Sequence, residues 1–149
     1  GRKGTNLISA VHKQLTHGKR INAEAVYLVF DRDDLTVEEI RNCQIQAQAN
    51  GFSVIFSSIN FEIWILLHFE AFRRSYTKDE LYKRLSDDEH FAQDYERFKG
   101  SDYDQYLVDK VATAIENARQ LNISVDELAT SDPFTNVHLY IESIFGRAD

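Results

Sequence analysis

Apolar residues fall in two rhythms along this chain, and the changeover between them sets the expected elements. Val26-Tyr27-Leu28-Val29-Phe30 is a continuous run, entered from Ala25 and closed by the acidic cluster Asp31-Arg32-Asp33-Asp34. Continuity rather than alternation, in β-branched and aromatic residues, predicts a strand covered on both faces, as in a parallel sheet. A Thr36-x-x-Glu39 capping box then predicts a helix from Thr36 to the Asn50-Gly51 stop, with Val37, Ile40, Gln44 and Ala47 facing inward. Residues 52–57 read as a second short strand. Strand, helix and strand with short joints predict a right-handed βαβ crossover, hence a parallel pair.

The helical rhythm recurs elsewhere. Leu7, Val11 and Leu15 mark a helix over residues 6–15, with His12 and His17 read as surface residues. After the second strand, residues 60–70 are apolar nearly all round and predict a buried helix, capped by Asn60 with Glu62 in its first turn. Thr77-x-x-Glu80 and Ser86-x-x-Glu89 predict two further helix starts. The second of these helices carries Phe91, Tyr95 and Phe98 and closes at Lys99-Gly100. A longer helix is expected over 104–121, from Leu107, Val111, Ala114, Ala118 and Leu121. Pro133 precedes a last helix, capped by Thr135 or Asn136, with Val137, Tyr140, Ile141 and Ile144 as its stripe. The fold class is therefore α/β, a short parallel sheet of Toprim-like or Rossmann-like type with a C-terminal helical part. One domain is expected: an α/β core over 1–70, a helical insert over 71–130 and a final helix over 131–149.

Composition narrows the function classes. The 149 residues carry a net charge of −7, which argues against indiscriminate grip on a polyanion. Charge is unevenly spread: Arg2, Lys3, Lys13, Lys19 and Arg20 all precede the first acidic residue, Glu24. A single cysteine, Cys43, forms no internal disulfide, and no apolar run is long enough to span a bilayer, so a cytoplasmic protein is expected. The opening Gly1-Arg2-Lys3-Gly4, without an initiator methionine, reads as a fragment truncated at its N-terminus. No G-x-G-x-x-G or Walker A run supports a dinucleotide or P-loop site.

The candidate chemistry sits where the first strand ends. Asp31 and Asp33 are two apart and point the same way if strand geometry persists, and converging carboxylates suit Mg²⁺ or Mn²⁺. The plainer reading is a solubilised turn that leads into the next helix. Glu62 and His68, six apart on one helix, project in different directions. Glu62 either complements the helix dipole or joins the strand-end site; His68 is either a packing histidine or an acid–base group. Asn60, Asn136 and His138 are candidate substrate-binding residues, or residues of cap-rich loops.

Three stretches in order, Val29-Phe30-Asp31-Arg32-Asp33-Asp34, then Asn60-Phe61-Glu62-Ile63-Trp64-Ile65-Leu66-Leu67-His68-Phe69-Glu70, then Asp132-Pro133-Phe134-Thr135-Asn136-Val137-His138, resemble the RloB-like family. The resemblance covers most of the chain. It implies a divergent Toprim-type fold from bacterial restriction-modification and phage-defence loci, with a metal-dependent nuclease site. On it, Asp31 and Asp33 hold Mg²⁺ or Mn²⁺, Glu62 and His68 are the remaining catalytic candidates, nucleic acid is the substrate and a defence-system subunit is a partner. A Glu-Gly-x-x-Thr-Glu-like run that completes such sites is absent from these residues, so the fragment alone is expected to be inactive. Phe61 also stands where the family usually has proline. Two alternatives remain open. One is a non-catalytic assembly module. The other is a haloacid-dehalogenase-like phosphatase with Asp31 as nucleophile and Asp33 as general acid, although Leu35 departs from that pattern. If the site is a nuclease, Asp31→Asn abolishes metal-dependent cleavage by the intact protein, with little expected change in melting temperature.

Overall fold

The computed structural model of the protein describes residues 26–99 and 104–141. The helix expected over 6–15, with His12 and His17, lies outside the described residues, as does Ile144. Strand β1 (Val26–Asp31), helix α1 (Val37–Ala49) and strand β2 (Phe52–Ser58) form the expected unit, with β1 and β2 parallel from Val26 opposite Phe52 to Asp31 opposite Ser57. Local chemistry accounts for its boundaries. The Thr36 hydroxyl accepts from the Glu39 amide and the Glu39 carboxylate accepts from the Thr36 amide, both at 3.1 Å. Gly51 takes φ +73°, the left-handed turn a side chain would resist, and so starts β2 directly after the helix.

Two details of this unit depart from expectation. The inward stripe of α1 is Ile40, Cys43 and Ala47 rather than one through Gln44, and Cys43 and Ala47 pack against Leu28 and Phe52. Coverage of β1 is also uneven: Leu28 is buried and the Tyr27 ring meets Tyr140 edge-on, but Val29 is 56% exposed. The pleat puts Tyr27 and Val29 on one face, and packing on that face stops short of Val29.

A third strand escaped the sequence pattern. The two-residue β3 (Phe134–Thr135) pairs antiparallel with β2, so the sheet is mixed, in the order β1-β2-β3. It forms where the last helix was expected to begin; Val137–Tyr140 is one 3₁₀ turn. The Asp132–Pro133 peptide is cis. Asn136 prolongs the pairing with its side chain: its Oδ1 accepts from the Phe56 amide at 2.8 Å, and its Nδ2 donates to the Val54 carbonyl at 3.0 Å. One amide thereby serves one donor and one acceptor of β2 at a buried position. Asn136→Leu is expected to destabilise the protein by roughly 2–3 kcal/mol, because both backbone groups lose their partner, measured by urea denaturation.

The helical part comprises α2 (Glu62–Leu67), α3 (Lys78–Leu85), α4 (Tyr95–Phe98), α5 (Asp104–Leu107) and α6 (Val111–Leu121), which contribute to one apolar core with Ile55 of β2. Every residue of α2 is buried, as its apolar circumference implied. Ala114 and Ala118 of α6 belong to the same core as α2, and the Asn117 amide donates to the Leu67 carbonyl at 2.8 Å, closing the α2 C-terminus. Ser86 does not start a helix. Its hydroxyl donates back to the Tyr82 carbonyl and accepts from the Tyr95 amide, so it ends α3 instead, and Phe91 precedes the four-residue α4. The helix expected over 104–121 is divided at 108–110. The break lets Tyr106 pack on Phe91 and Phe98 while α6 follows its own alanine face. Among the described residues no helix is long and apolar enough to cross a membrane.

Candidate active site at the end of β1

The parallel pair carries Asp31 to the C-terminal end of β1, where open α/β sheets place their ligands. The Arg32 amide donates to the Ser57 carbonyl at 3.0 Å and the Asp33 amide to the Ile59 carbonyl at 3.2 Å, so the chain leaves the sheet still tied to the segment after β2. Strand geometry ends at Asp31, however. Asp33 has φ +41°, which corrects the expected same-side projection of the two aspartates: a left-handed turn, not β alternation, sets where Asp33 lies. Asp33 and Asp34 are exposed and line a cavity of about 690 Å³ together with Ile59, Tyr76, Lys78 and Asp132.

Asp31 is the electrostatic centre. Burial first, then the charges of Asp33 and Glu62, push its carboxyl up to about 7, against the opposing pull of the Phe61 backbone N–H and of Lys99. Glu62 thus belongs to the strand-end group. Its helix start is set by Asn60, whose Oδ1 accepts from the Glu62 amide at 3.2 Å, so Asn60 orients the acid beside the strand end. The Glu62 side chain is 8% exposed. Tyr95 donates its hydroxyl to Glu62 Oε1 at 3.4 Å, and Lys99 Nζ lies 3.9 Å from the same oxygen. Lys99 also donates to the Tyr82 hydroxyl at 2.7 Å.

Arg32, between the two aspartates, turns the other way. Its Nε donates to Ser58 Oγ at 2.6 Å, and its Nη2 to the carbonyls of Ala129 and Ser131 at 2.8 and 3.2 Å. Ser58 Oγ donates in turn to Asp132 at 3.0 Å. The guanidinium therefore locks the acidic turn to the segment that leads into β3.

The other candidates lie apart from this group. His68 donates from Nδ1 to the Trp64 carbonyl at 2.9 Å and packs edge-on against the Trp64 ring; burial lowers its pKa, keeping it neutral. Asn136 is committed to β2. His138 is held below the usual histidine range by burial and by Arg119, and its Nδ1 has no partner among the described residues. Tyr95 and Lys99 are the residues that sequence reasoning missed. Their i, i+4 spacing was visible, but nothing local announced that the insert folds back over Glu62.

The donors gathered here are all oxygens, the type that Mg²⁺ and Mn²⁺ take. Mg²⁺ in particular is commonly held by one or two carboxylates with waters and substrate phosphates completing its shell. Among the described residues no group of three His, Cys, Asp or Glu side chains is placed to hold an ion by itself. Asp31 and Asp33 lie close enough for the charge of one to act on the other, and of the two Asp33 lines the cavity. Compared with known proteins, residues 2–144 match a family model described as RloB-like protein. No curated protein and no solved structure matches the chain.

Proposed function

The chain belongs to the RloB-like protein family, and from that premise we propose that the intact protein is a Toprim-type nuclease dependent on Mg²⁺ or Mn²⁺, acting on nucleic acid in the cytoplasm as part of a bacterial phage-defence system. The observation that carries this reading is the gathering of acids at the C-terminal end of a parallel strand, where burial and the neighbouring charges of Asp33 and Glu62 raise the Asp31 carboxyl. Asp31 and Asp33 would hold the ion. When bound, it polarises a phosphate oxygen and lowers the pKa of an attacking water.

The protein's own residues prepare that event. Burial and two neighbouring acids keep Asp31 partly protonated near neutral pH, so its carboxyl would have to give up a proton in order to hold a cation. Asn60 and Tyr95 fix Glu62, which adds a third acid beside the strand end. Burial that favours the protonated form makes Asp31 a poor nucleophile, which weighs against the phosphatase alternative.

Asp31→Asn in the full-length protein is expected to reduce Mn²⁺-dependent cleavage of DNA or RNA by at least roughly 100-fold. Cleavage at the wild-type rate would count against the nuclease. The second reading, a non-catalytic assembly module paired with a defence subunit, draws on the absence of a three-ligand group among the described residues. No cleavage and no Mn²⁺ binding by the intact wild type would favour it.

A further inference from the structure

The cavity of about 690 Å³ at the strand end is built from segments far apart in sequence: the acidic turn, Asp132 before β3, and the chain that enters α3. Hydrogen bonds fix these segments against one another. Ser75 Oγ donates to the Asp132 carbonyl at 2.9 Å, and the Asp132 carboxylate accepts from Ser58 Oγ at 3.0 Å. Ser58 Oγ in turn accepts from Arg32 Nε at 2.6 Å, which returns the chain of bonds to the acidic turn. The cavity is therefore preformed, and its volume lies within the roughly 300–1,000 Å³ of ligand sites.

The charged groups that line it are not equally free. Glu80 is taken up by Arg74 at 2.7 Å and by the Thr77 amide of its own capping box. Asp132 is bonded to Ser58 and lies in the field of Arg32. Asp33 and Asp34, in contrast, have no side-chain hydrogen bond or ion pair among the described residues. The same holds for Lys78, whose Nζ stands 5.7 Å from the Tyr82 ring and meets no acceptor among the described residues. One preformed cavity thus holds free charges of both signs that do not neutralise each other. A bare anion entering it would add to the excess of the carboxylates, and a bare divalent ion would leave the ammonium unanswered. A divalent ion together with a singly charged phosphodiester cancels the two aspartates and the lysine as a set.

We propose that this cavity receives the substrate's phosphodiester, with Lys78 binding a non-bridging phosphate oxygen while the acidic turn supplies Asp33 to the divalent ion. The proposal rests on the nuclease reading and deepens it, by assigning the substrate-binding side of the site to the start of α3. Lys78 takes no part in holding the metal ion. Arg73, exposed and without an ion pair among the described residues, continues the positive charge along the segment that leads to the cavity.

The test uses the full-length protein and fluorescein-labelled single-stranded oligonucleotides of DNA and of RNA, with anisotropy read in Mn²⁺ before cleavage accumulates. Mn²⁺ binding is followed separately by calorimetry. Lys78→Gln is expected to weaken oligonucleotide binding by roughly tenfold at low salt and to flatten its salt dependence by about one counterion. Its Mn²⁺ affinity stays within about threefold of the wild type, because carboxylates hold the ion. Lys78→Arg recovers most of the binding, since guanidinium also takes phosphate oxygens. Lys83→Gln removes the same charge from an exposed position of α3 that does not line the cavity, and changes binding by less than about twofold. Replacing Mn²⁺ by EDTA weakens wild-type binding by about tenfold or more, because the free carboxylates then repel the phosphate. Equal losses in Lys78→Gln and Lys83→Gln overturn the proposal, by reducing it to the overall charge of α3. Loss of Mn²⁺ binding in Lys78→Gln overturns it too, as does wild-type binding equally tight in EDTA. A Lys78→Gln protein that binds the oligonucleotide normally and still cleaves it with Mn²⁺ overturns the role of Lys78 while leaving the nuclease in place. A wild type that binds neither Mn²⁺ nor any oligonucleotide overturns the nuclease reading, and the proposal with it.

Discussion

Asp31→Asn is expected to make the metal-free protein more stable than the wild type at pH 8, by roughly 4 kcal/mol. The argument is one of proton linkage. The Asp31 carboxyl moves from 3.8 to about 7 on folding, so the native state binds its proton more tightly than the unfolded chain does. The stability this group contributes is full below pH 3.8, declines as pH rises through about 7, and is lost above it. An amide resembles the neutral acid and does not titrate, so the variant lacks this decline. Its advantage should amount to roughly 8–16 °C in melting temperature at pH 8 for a chain of this size, shrinking toward zero near pH 4. Thermal melts in EDTA across that range measure it. The unchanged melting temperature expected from the sequence thus gives way to a gain, for a reason the sequence did not carry: the burial of Asp31 beside Glu62. A variant less stable than the wild type at pH 8 would show that the ionised carboxylate is not under strain. Adding Mn²⁺ should narrow the difference, because the ion stabilises only the protein that binds it.

Arg32→Ala is the second large effect. The guanidinium makes three hydrogen bonds from one place, to Ser58 and to the carbonyls of Ala129 and Ser131, and it stacks over the Phe56 ring at 5.5 Å. Bonds from a charged donor are worth about 1.5–3 kcal/mol each and do not add fully, so a loss of roughly 3–4 kcal/mol is expected. Arg32→Lys should recover less than half of it, because a single ammonium cannot span three acceptors set for a planar fork. Urea denaturation gives the total. Hydrogen exchange should show the loss concentrated in the residues before β3, which Arg32 ties to the acidic turn. Since that turn also carries Asp33, Mn²⁺ affinity should fall by about tenfold in Arg32→Ala, even though Arg32 touches no metal. A stability loss under 1 kcal/mol would mean that the segment before β3 is held by its pairing with β2 alone.

The parts legible in the sequence are those that local chemistry decides. Thr36 and Glu39 close their own capping box, Gly51 alone tolerates its turn, and the apolar run of residues 26–30 can only be a strand or a buried helix segment too short to stand. The acidic cluster at the strand end was legible for the same reason, because strand and turn are contiguous. What escaped notice depends on contacts between distant residues. Asn136 acts as a piece of backbone because β2 happens to offer Phe56 N–H and the Val54 carbonyl 80 and 82 residues away. Ser86 looks like a helix start until Tyr95 returns to take its hydroxyl. The direction of Glu62 away from His68 was readable from helical spacing. Its approach to Asp31 was not, since it requires the tie between Asp33 and Ile59 that holds the two loops together.

The most direct test of a shared cation at the strand end is Mn²⁺ calorimetry on the full-length protein at pH 7, repeated in buffers of different ionisation enthalpy. Binding should release about half a proton per ion, because the Asp31 carboxyl titrates near that pH, and both the heat and the proton release should vanish in Asp31→Asn. Mn²⁺ binding of equal strength in the variant, with no change in proton release, would contradict a metal site built on Asp31 and Asp33.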